Sequence, residues 1–559
     1  MEKRPWHAHY PDGVPREIDP DRFSSLAELC LASCRKNPDR AAFINQGAEL
    51  SFAELDRRSR DFAAWLTAGA GLVPGDRVAI MLPNLLQSPI VLLGVLRAGM
   101  VAVNVNPMYT ARELEHQLAD SGARVIVVLE NFAATLQKAV PGTAVEKVIL
   151  AAVGDSLPPL KRWLTNFVVR RVRKLVPAYT IDGTEPLSRV LAAGTRLQYN
   201  DPAVGPNDIA FLQYTGGTTG VAKGAMLTHR NMVANVLQSS AWMHPFIDGE
   251  HDTAVTALPL YHIFALTVNM LTFMDLGASN LLITNPRDMA GFVKELERYR
   301  PAFITGVNTL FNGLLHAPGF TNLDFSSLKI AMAGGMAVQE DVANSWQEVT
   351  DVTIAQGYGL TEASPVVTAN RLDLKSFNGS VGMPFPSTDV AIFDDDGQPV
   401  PVGEIGELCV KGPQVMQGYW QRPEETAATF TSDGWLKTGD IARMDETGRF
   451  YIEDRKKDLI IVSGFNVYPN EVENVVTTHP GVLEAAAIGV PSERSGEAVK
   501  VFVVRKDPSL DAKTLKAWCR ERMTGYKSPD IVEFVDELPK SNVGKVLRRE
   551  LKEQGSKQS

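Results

Sequence analysis

Short apolar runs and longer amphipathic stretches alternate along most of the chain. Residues 77–82 (RVAIML) and 124–129 (RVIVVL) are continuous apolar runs, which is typical of strands buried on both faces of a parallel sheet. Residues 51–68 and 112–120 repeat their apolar positions with the period of a helix. Ser51 and Glu54 have the spacing of a capping box at the start of the first of these helices. The alternation predicts α/β layers built on parallel sheets.

The pattern changes near residue 385. Turns at 394–397 (DDDG) and 401–403 (PVG) separate short strand-like runs, which predicts a β-rich subdomain over about 385–455. A charged turn at 454–458 (DRKKD) follows, and after it come roughly 100 residues of mixed helix and strand, enough for a small domain. We therefore expect an α/β protein with a large N-terminal domain at 1–457 and a small α+β C-terminal domain at 458–559.

The composition is that of an ordinary globular protein. Of the 559 residues, 45% are hydrophobic and 22% are charged, and the formal net charge is −9. This acidic balance argues against nucleic acid as the main partner, because phosphate backbones select basic surfaces. The four cysteines form no zinc-binding pattern and suit a reducing compartment.

We expect a cytoplasmic protein without a transmembrane anchor. The first residues contain no apolar segment that could form a signal peptide. The most apolar stretch, residues 89–105, is interrupted by Arg97 and two glycines, and it is too short to cross a bilayer. A buried helix followed by a strand is predicted there instead.

The strongest motif is a loop rich in glycine and threonine at residues 214–225 (YTGGTTGVAKGA), ahead of a helix predicted from His229. Glycines let the backbone approach an anion closely, so that several N–H groups can donate to one phosphate. Threonine hydroxyls add donors, and the lysine adds a cation. The pattern is neither a Walker A loop nor a dinucleotide fingerprint. A phosphate-binding loop is therefore predicted, with these candidate residues: Tyr214, Thr215, Gly216, Gly217, Thr218, Thr219, Gly220 and Lys223.

Further blocks follow this loop in a fixed order. They are 357–362 (GYGLTE), 435–440 (WLKTGD), 454–458 (DRKKD) with 461–466 (IVSGFN), and 539–545 (PKSNVGK). With these blocks the chain resembles the adenylate-forming superfamily of acyl-CoA synthetases, adenylation domains and luciferases, from about residue 25 to the C-terminus. Within that superfamily it is most similar to bacterial long-chain fatty-acid–CoA ligases.

The resemblance implies a nucleotide site. Tyr358 would pack on adenine beside the backbone of Gly334 and Gly335. Asp440 would accept hydrogen bonds from both ribose hydroxyls, which one ionised carboxylate can do. Arg455 would contact the ribose–phosphate side.

The resemblance also implies which residues carry the chemistry. Thr361 would contact the α-phosphate and Glu362 would bind Mg²⁺, for which a carboxylate is a suitable hard oxygen ligand. Lys545 would bridge the acid and the α-phosphate while charge develops, which is electrostatic catalysis.

The resemblance further implies residues for domain movement and for binding coenzyme A and the acyl chain. The small C-terminal domain would be mobile, with Asp458 as its hinge, and Gly464 would line the tunnel for the pantetheine arm of coenzyme A. His262 would border the acyl pocket, although a packed core histidine is an equal alternative.

The implied reaction joins a fatty acid to coenzyme A. The acid and ATP, with Mg²⁺, would give acyl-AMP and pyrophosphate, and coenzyme A would then release AMP. A ligase for an aryl or amino acid is one alternative, although residues 258–264 contain no acid to hold an ammonium group. An inactive nucleotide-binding or membrane-recruited interaction protein is another, against which the presence of Lys223 and Lys545 argues. Chain length and oligomeric state, including a homodimer, are left open.

One basic segment lies outside these motifs. Residues 161–177 (KRWLTNFVVRRVRKLVP) hold six basic residues and no acid. As a helix, the segment would place Leu164, Phe167, Val168 and Leu175 on one face. Such a helix either contacts the cytoplasmic face of an anionic membrane or packs its apolar face on the protein core.

Overall fold

The computed structural model describes residues 4–215, 222–492, 495–541 and 544–555. These residues form four β-sheets with helices between them along the chain. The strands predicted at 77–82 and 124–129 are present as Arg77–Met81 and Val125–Leu129, and they pair in parallel. Their apolar residues are continuous because both faces of the sheet are covered.

Two large sheets form the N-terminal part of the described residues. The first has the spatial order Met383–Pro384, Val366–Ala369, Ile354–Gly359, Ile330–Ala333, Phe303–Gly306, Thr253–Thr256, Ser279–Leu282, Ala41–Asn45 and Ala48–Ser51. The second has the order Gly418–Tyr419, Lys223–Thr228, Ile209–Thr215, Val101–Asn104, Arg77–Met81, Val125–Leu129, Lys147–Ala151 and Glu185–Pro186. Both are parallel in their centres; the first is antiparallel at both edges and the second at one edge.

Two smaller sheets follow in the chain. The β-rich region is an antiparallel sheet of the strands Asp389–Phe393, Gly406–Lys411, Leu436–Met444 and Phe450–Arg455. The last sheet has the order Phe465–Val467, Ile460–Val462, Gly496–Arg505 and Val482–Ser492, with Ile531–Val535 paired in parallel to Gly496–Arg505. The predicted fold class is thereby confirmed: large α/β layers, a β-rich part and a smaller α+β part.

The helices connect these strands. The α-helices of the described residues are Leu26–Lys36, Phe52–Ala64, Gln87–Arg97, Ala111–Ser121, Ala133–Ala139, Pro159–Phe167, Leu187–Gly194, His229–Met243, Thr272–Leu276, Met289–Tyr299, Asn308–Leu315, Glu340–Thr350, Pro423–Thr429, Pro469–Thr477, Ala512–Arg522 and Arg548–Gly555. The helix and strand predicted within 89–105 are Gln87–Arg97 and Val101–Asn104. The helix at Ser51 begins as predicted, since Ser51 Oγ accepts from Glu54 N at 3.1 Å.

The hydrophobic cores follow the same division. One large core is shared by the two large sheets and contains fully buried aromatic residues such as Phe62, Trp242 and Phe303. The last sheet has separate cores, one containing Val472 and Val501 and another containing Phe502 and Leu538. A segment with its own cores can retain its structure while it moves relative to the rest of the chain.

The structure distinguishes between the two alternatives for the basic segment 161–177. It is an α-helix only over Pro159–Phe167 and continues as a π-helix over Val168–Val172. Leu164, Phe167 and Leu175 are exposed to solvent, so the alternative of an apolar face packed on the core is wrong for these residues. No helix among the described residues is long and apolar enough to cross a membrane.

Candidate active site

The glycine-rich loop connects two antiparallel strands of the second sheet. Thr215 ends the strand Ile209–Thr215 and lies opposite Lys223, which begins the strand Lys223–Thr228. The sequence pattern did not predict this return strand, because Gly224 and polar residues interrupt its apolar run. The loop residues that lie outside the described part of the chain include Gly216, Gly217, Thr218, Thr219 and Gly220.

The side chain of Tyr214 is buried at the base of this hairpin. Its hydroxyl donates to Asp120 Oδ2 at 2.7 Å, and Arg422 donates to Asp120 Oδ1 at 2.7 Å. Its ring packs against Gly224, where an added Cβ would lie 3.2 Å from Tyr214 Cε2. Burial, and then Asp120, raise the pKa of the Tyr214 phenol. Asp120 therefore holds Tyr214 at the base of the hairpin and is itself held by Arg422, and the sequence motifs revealed neither partner.

Tyr419 links two predicted site residues. Its hydroxyl donates to Glu362 Oε1 at 2.7 Å, and the Lys223 ammonium lies 5.3 Å from the centre of its ring. Tyr419 pairs with Ala225 on the return strand, so the two sheet segments fix its position. Burial, and then Glu362, raise the pKa of the Tyr419 phenol, so the hydroxyl remains a donor at neutral pH. Sequence reasoning missed this residue because Tyr419 lies far from both partners in the chain.

Glu362 lies in the short 3₁₀ turn Thr361–Ala363, which follows the strand Ile354–Gly359. The backbone carbonyl of Glu362 accepts from Met416 N at 2.7 Å, which holds the turn beside the segment that carries Tyr419. Thr361 begins the same turn. Within the described ranges, no group of three or more His, Cys, Asp or Glu side chains could hold a metal ion by itself.

Tyr358, Asp440 and Arg455 form a second cluster. The Tyr358 hydroxyl donates to Asp440 Oδ2 at 2.6 Å, and Arg455 Nε lies 3.1 Å from Asp440 Oδ1. Asp440 and Arg455 are opposite each other on adjacent antiparallel strands. Burial, and then Asp440, raise the pKa of the Tyr358 phenol. Asp440 can still accept further hydrogen bonds, because a carboxylate has about four lone-pair sites.

Gly334 and Gly335 follow the strand Ile330–Ala333 next to this cluster in the first sheet. An added Cβ at Gly334 would lie 3.1 Å from the Phe264 ring and 3.3 Å from Gly357 O. Gly335 has a φ of +81° and nothing within 4 Å of an added Cβ. The backbone at Gly335 therefore borders open space, where a flat ring can approach it.

Lys545 lies near enough to this cluster for the charges of Arg455 and Asp440 to act on its ammonium. The residue as a whole is exposed, but desolvation by nearby protein atoms, and then repulsion from Arg455, lower the pKa of its ammonium to about 8, with Asp440 acting in the opposite direction. The charge of Lys545 also reaches His262, although burial is the larger cause that lowers the pKa of that imidazole to about 4. His262 Nδ1 accepts from Phe264 N at 3.3 Å. His262 is therefore neutral at pH 7 and lies within reach of the charge of Lys545.

The turn before Lys545 contacts the N-terminal part of the chain. An added Cβ at Gly544 would lie 2.6 Å from Thr309 Oγ1 and 3.4 Å from Val307 Cγ2. The φ of Gly544 is +81°, a value that glycine adopts easily. Only a glycine therefore allows this close approach of the turn to Val307 and Thr309.

The predicted hinge residue, Asp458, belongs to an ion-pair cluster centred on Arg548. Arg548 Nη2 lies 2.8 Å from Glu473 Oε1, and Arg548 Nη1 lies 3.7 Å from Asp458 Oδ2 and 3.8 Å from Asp454 Oδ1. Burial, opposed by Arg548, raises the pKa of Glu473 and of Asp454. Asp454 Oδ2 also accepts from Asn470 N at 2.7 Å. These contacts join residues on both sides of Asp458.

Gly464 lies at the surface of the described C-terminal residues. It lies on the exposed turn between the strands Ile460–Val462 and Phe465–Val467, with a φ of +84° and nothing within 4 Å of an added Cβ. The structure thus brings Tyr358, Asp440, Arg455, His262 and Lys545 together, and leaves Gly464 at the surface.

The family of the chain follows from comparison with known proteins. The family model for "AMP-binding enzyme" matches residues 30–420, and that for "AMP-binding enzyme C-terminal domain" matches residues 471–545. The chain belongs to the AMP-binding enzyme family, the adenylate-forming superfamily indicated by its motifs.

Within this family, the chain is similar over nearly its full length to long-chain-fatty-acid–CoA ligases. The chain is 57% identical to a long-chain-fatty-acid–CoA ligase of Escherichia coli over 99% of this chain and 98% of that protein. It is 59% identical to a long-chain-fatty-acid–CoA ligase of Yersinia pestis over 98% of each chain. Among solved structures, a benzoate CoA ligase from Burkholderia xenovorans is 25% identical, with a TM-score of 0.79, over 95% of this chain and 100% of that chain.

Proposed function

We propose that this enzyme joins a long-chain fatty acid to coenzyme A through an acyl-adenylate. In the first step a carboxylate oxygen attacks the α-phosphorus of ATP, which forms acyl-AMP and releases pyrophosphate. In the second step the thiol of coenzyme A attacks the acyl carbon, which forms the thioester and releases AMP. The cluster of Tyr358, Asp440 and Arg455, near enough to Lys545 for its charges to act on that ammonium, is the observation that carries this proposal. The full-length identity to fatty-acid–CoA ligases supports the substrate class.

In this proposal the nucleotide binds between the two clusters. Adenine stacks on Tyr358 along the open backbone at Gly335, and the ribose hydroxyls donate to Asp440. Arg455, already paired with Asp440, faces the ribose–phosphate side. The glycine-rich loop and Lys223 hold the phosphates that leave as pyrophosphate.

Mg²⁺ fits this arrangement. Magnesium sites in such enzymes commonly use one or two carboxylates together with substrate phosphates, so one well-placed carboxylate suffices. Glu362 is that carboxylate, since its turn is held by Met416 and its Oε1 by Tyr419. The ion would neutralise phosphate charge, and Thr361, at the start of the same turn, would contact the α-phosphate.

Lys545 and His262 border the reacting atoms in this proposal. The Lys545 ammonium contacts both the carboxylate and the α-phosphate, whose negative charge it stabilises as the bond forms. A neutral His262 at the same place adds no second positive charge and can line the start of the acyl pocket.

The second step requires a rearrangement in this proposal. The C-terminal domain, residues 458–559, rotates about Asp458, which removes Lys545 from the cleft and brings the Gly464 turn to it. The separate cores of the last sheet support such a movement. The boundary at 457/458 and the pantetheine tunnel at Gly464 belong to this proposal.

The proposal is tested by pyrophosphate release with a panel of acids. Long-chain, short-chain, aryl and amino acids are compared at equal concentration with ATP, Mg²⁺ and coenzyme A. We expect the highest kcat/KM with long-chain fatty acids and loss of release in Lys545→Ala. A preference for an aryl or amino acid would replace the substrate class, and no release with any acid would reject the ligase function.

The proposal includes the subcellular location of the enzyme. We expect it on the cytoplasmic face of the membrane, bound peripherally through 161–177, because long-chain acids partition into bilayers. A homodimer stays a prediction, to be measured by sedimentation velocity.

A further inference from the structure

The segment Pro159–Leu175 presents an unusual apolar surface to water. Its large exposed side chains are Leu160 (80% exposed), Trp163 (64%), Leu164 (52%), Phe167 (45%), Val172 (63%) and Leu175 (51%). Trp163 and Phe167 stack on each other with ring centroids 5.6 Å apart. Contiguous exposed apolar side chains of this kind mark a surface that contacts a partner or a membrane.

The segment is held to the protein by its polar side chains. Arg170 makes a paired interaction with Glu130, with Nη2 to Oε2 at 2.8 Å and Nε to Oε1 at 2.9 Å. Asn166 Oδ1 accepts from Gly154 N at 2.8 Å. The apolar side chains are therefore not needed to fix the segment, and they remain available to a partner. Arg170 is therefore an anchor of the segment.

Three cations accompany the exposed apolar side chains. Arg171, Arg173 and Lys174 are exposed, and among the described residues no hydrogen bond or ion pair of their side chains is found. They lie in a chain whose formal net charge is −9. A local cluster of free cations in an acidic protein favours an anionic partner.

A cavity of about 730 Å³ lies beside the segment. Trp163, Phe167 and Arg171 line it together with Glu130 and Tyr179. The two aromatic rings and the free guanidinium of Arg171 line the same cavity. An amphiphile can therefore place its apolar chain on the rings and its anionic group at Arg171.

We propose that Pro159–Leu175 docks the enzyme onto an anionic phospholipid bilayer, with the cavity receiving one lipid headgroup at Arg171. Leu160, Trp163 and Leu164 insert among acyl chains, and Arg173 and Lys174 contact neighbouring phosphates. Exposed apolar side chains together with free cations favour a lipid surface as the partner. A nucleic acid would pair with the cations but would leave the apolar side chains in water. This inference deepens the peripheral membrane contact that forms part of the proposed function.

The test uses cosedimentation of the full chain with vesicles of phosphatidylcholine, with or without phosphatidylglycerol. We expect binding to the anionic vesicles that weakens as salt is raised. Each cation near the surface contributes roughly fivefold in affinity, so Arg171→Gln/Arg173→Gln/Lys174→Gln together lower binding by about a hundredfold. The matched control is Lys506→Gln/Lys513→Gln/Arg520→Gln, three exposed cations elsewhere, which keeps full binding.

A second variant tests insertion. Phosphatidylcholine with brominated acyl chains, mixed with phosphatidylglycerol, quenches tryptophan fluorescence only where a ring enters the bilayer. We expect quenching of the wild type that is largely lost in Trp163→Phe, because the other rings stay away from the lipid. Equal vesicle binding by the cationic triple variant and the wild type, or equal quenching in Trp163→Phe, would overturn the proposal. Binding to neither type of vesicle would also overturn it, and would favour a protein partner for the surface.

The two proposals fail in different ways. Pyrophosphate release from a short-chain acid without vesicles reports the ligase chemistry and needs no membrane. We expect the triple variant and Trp163→Phe to retain this activity and the wild-type melting temperature. Release without vesicle binding rejects the docking surface alone, whereas vesicle binding without release rejects the ligase function alone.

Discussion

At the scale of single residues, the protonation of Lys545 should control the first step. Its pKa is lowered to about 8, so the ammonium is present below that pH and is lost as the pH rises through it. Because kcat/KM reports the free enzyme, kcat/KM for pyrophosphate release should fall above about pH 8. The measurement is a pH profile of the first step with the acid and ATP subsaturating.

A conservative variant identifies the group responsible. The arginine of Lys545→Arg stays charged at every pH of the profile. The kcat/KM that this variant retains should therefore not fall near pH 8. The same falling limb in the wild type and in Lys545→Arg would assign that limb to another group.

Tyr419 should act as a positioning residue for Glu362. Tyr419→Phe removes the hydrogen bond of 2.7 Å to Glu362 and keeps the ring beneath Lys223. Loss of a hydrogen bond to a charged group costs about 1.5–3 kcal/mol, so the Mg²⁺ concentration for half-maximal rate should rise about tenfold or more. Titration with Mg²⁺ at fixed ATP gives this value.

Another tyrosine provides the control. Tyr451→Phe removes a comparable hydroxyl that donates to Asp445 at 3.2 Å on the β-rich sheet. It should leave the Mg²⁺ dependence unchanged. An unchanged dependence in Tyr419→Phe as well would mean that Glu362 keeps its place without the tyrosine.

At the scale of elements, the turn before Lys545 should be sensitive to a single methyl group. Gly544→Ala places a Cβ 2.6 Å from Thr309 Oγ1 at a backbone φ of +81°. Strain of about 1–3 kcal/mol opposes docking of the turn, so adenylation should fall roughly tenfold. Transfer from supplied acyl-AMP to coenzyme A should change little, because that step does not use the docked turn.

The control separates steric contact from backbone strain. Gly403→Ala has a φ of +91° but nothing within 4 Å of its new Cβ. It should leave both half-reactions near the wild-type rate. Equal loss of both half-reactions in Gly544→Ala would point to general destabilisation, which its melting temperature would reveal.

The turn at Asp458 should matter for the opposite half-reaction. Asp458→Pro restricts φ and removes a backbone donor that binds Arg455 O at 2.9 Å. The rotation should be hindered while the present arrangement persists, so pyrophosphate release should survive and thioester formation should fall. Single-turnover assays of each step measure this, and acyl-CoA formation at the normal rate would place the hinge elsewhere.

At the scale of the whole molecule, contacts join parts of the chain that are distant in the sequence. Arg548 joins Asp454, Asp458 and Glu473, while Gly544 contacts Thr309. These contacts tie the C-terminal part of the described chain to Asp454 and to Thr309 of the N-terminal part. The surface Pro159–Leu175 belongs to a different edge of the molecule, near the ends of the strands Val125–Leu129 and Lys147–Ala151.

The amino-acid sequence by itself determined the elements and the family. Strands at 77–82 and 124–129 and the helix at 112–120 were predictable, since local periodicity reflects which face of an element is buried. The ordered motifs were sufficient to name the candidate residues, because each motif is contiguous in the chain.

Only the tertiary structure decided which residues meet. Tyr419 and Glu362 are separated by 57 positions, and Tyr358 and Asp440 by 82, so no local pattern reports their hydrogen bonds. The segment 161–177 shows the same limit, because its amphipathic pattern is the same whether its apolar side chains face the core or water. Only the structure shows that Leu164, Phe167 and Leu175 are exposed while Arg170 pairs with Glu130, because burial depends on what the rest of the chain places beside the segment.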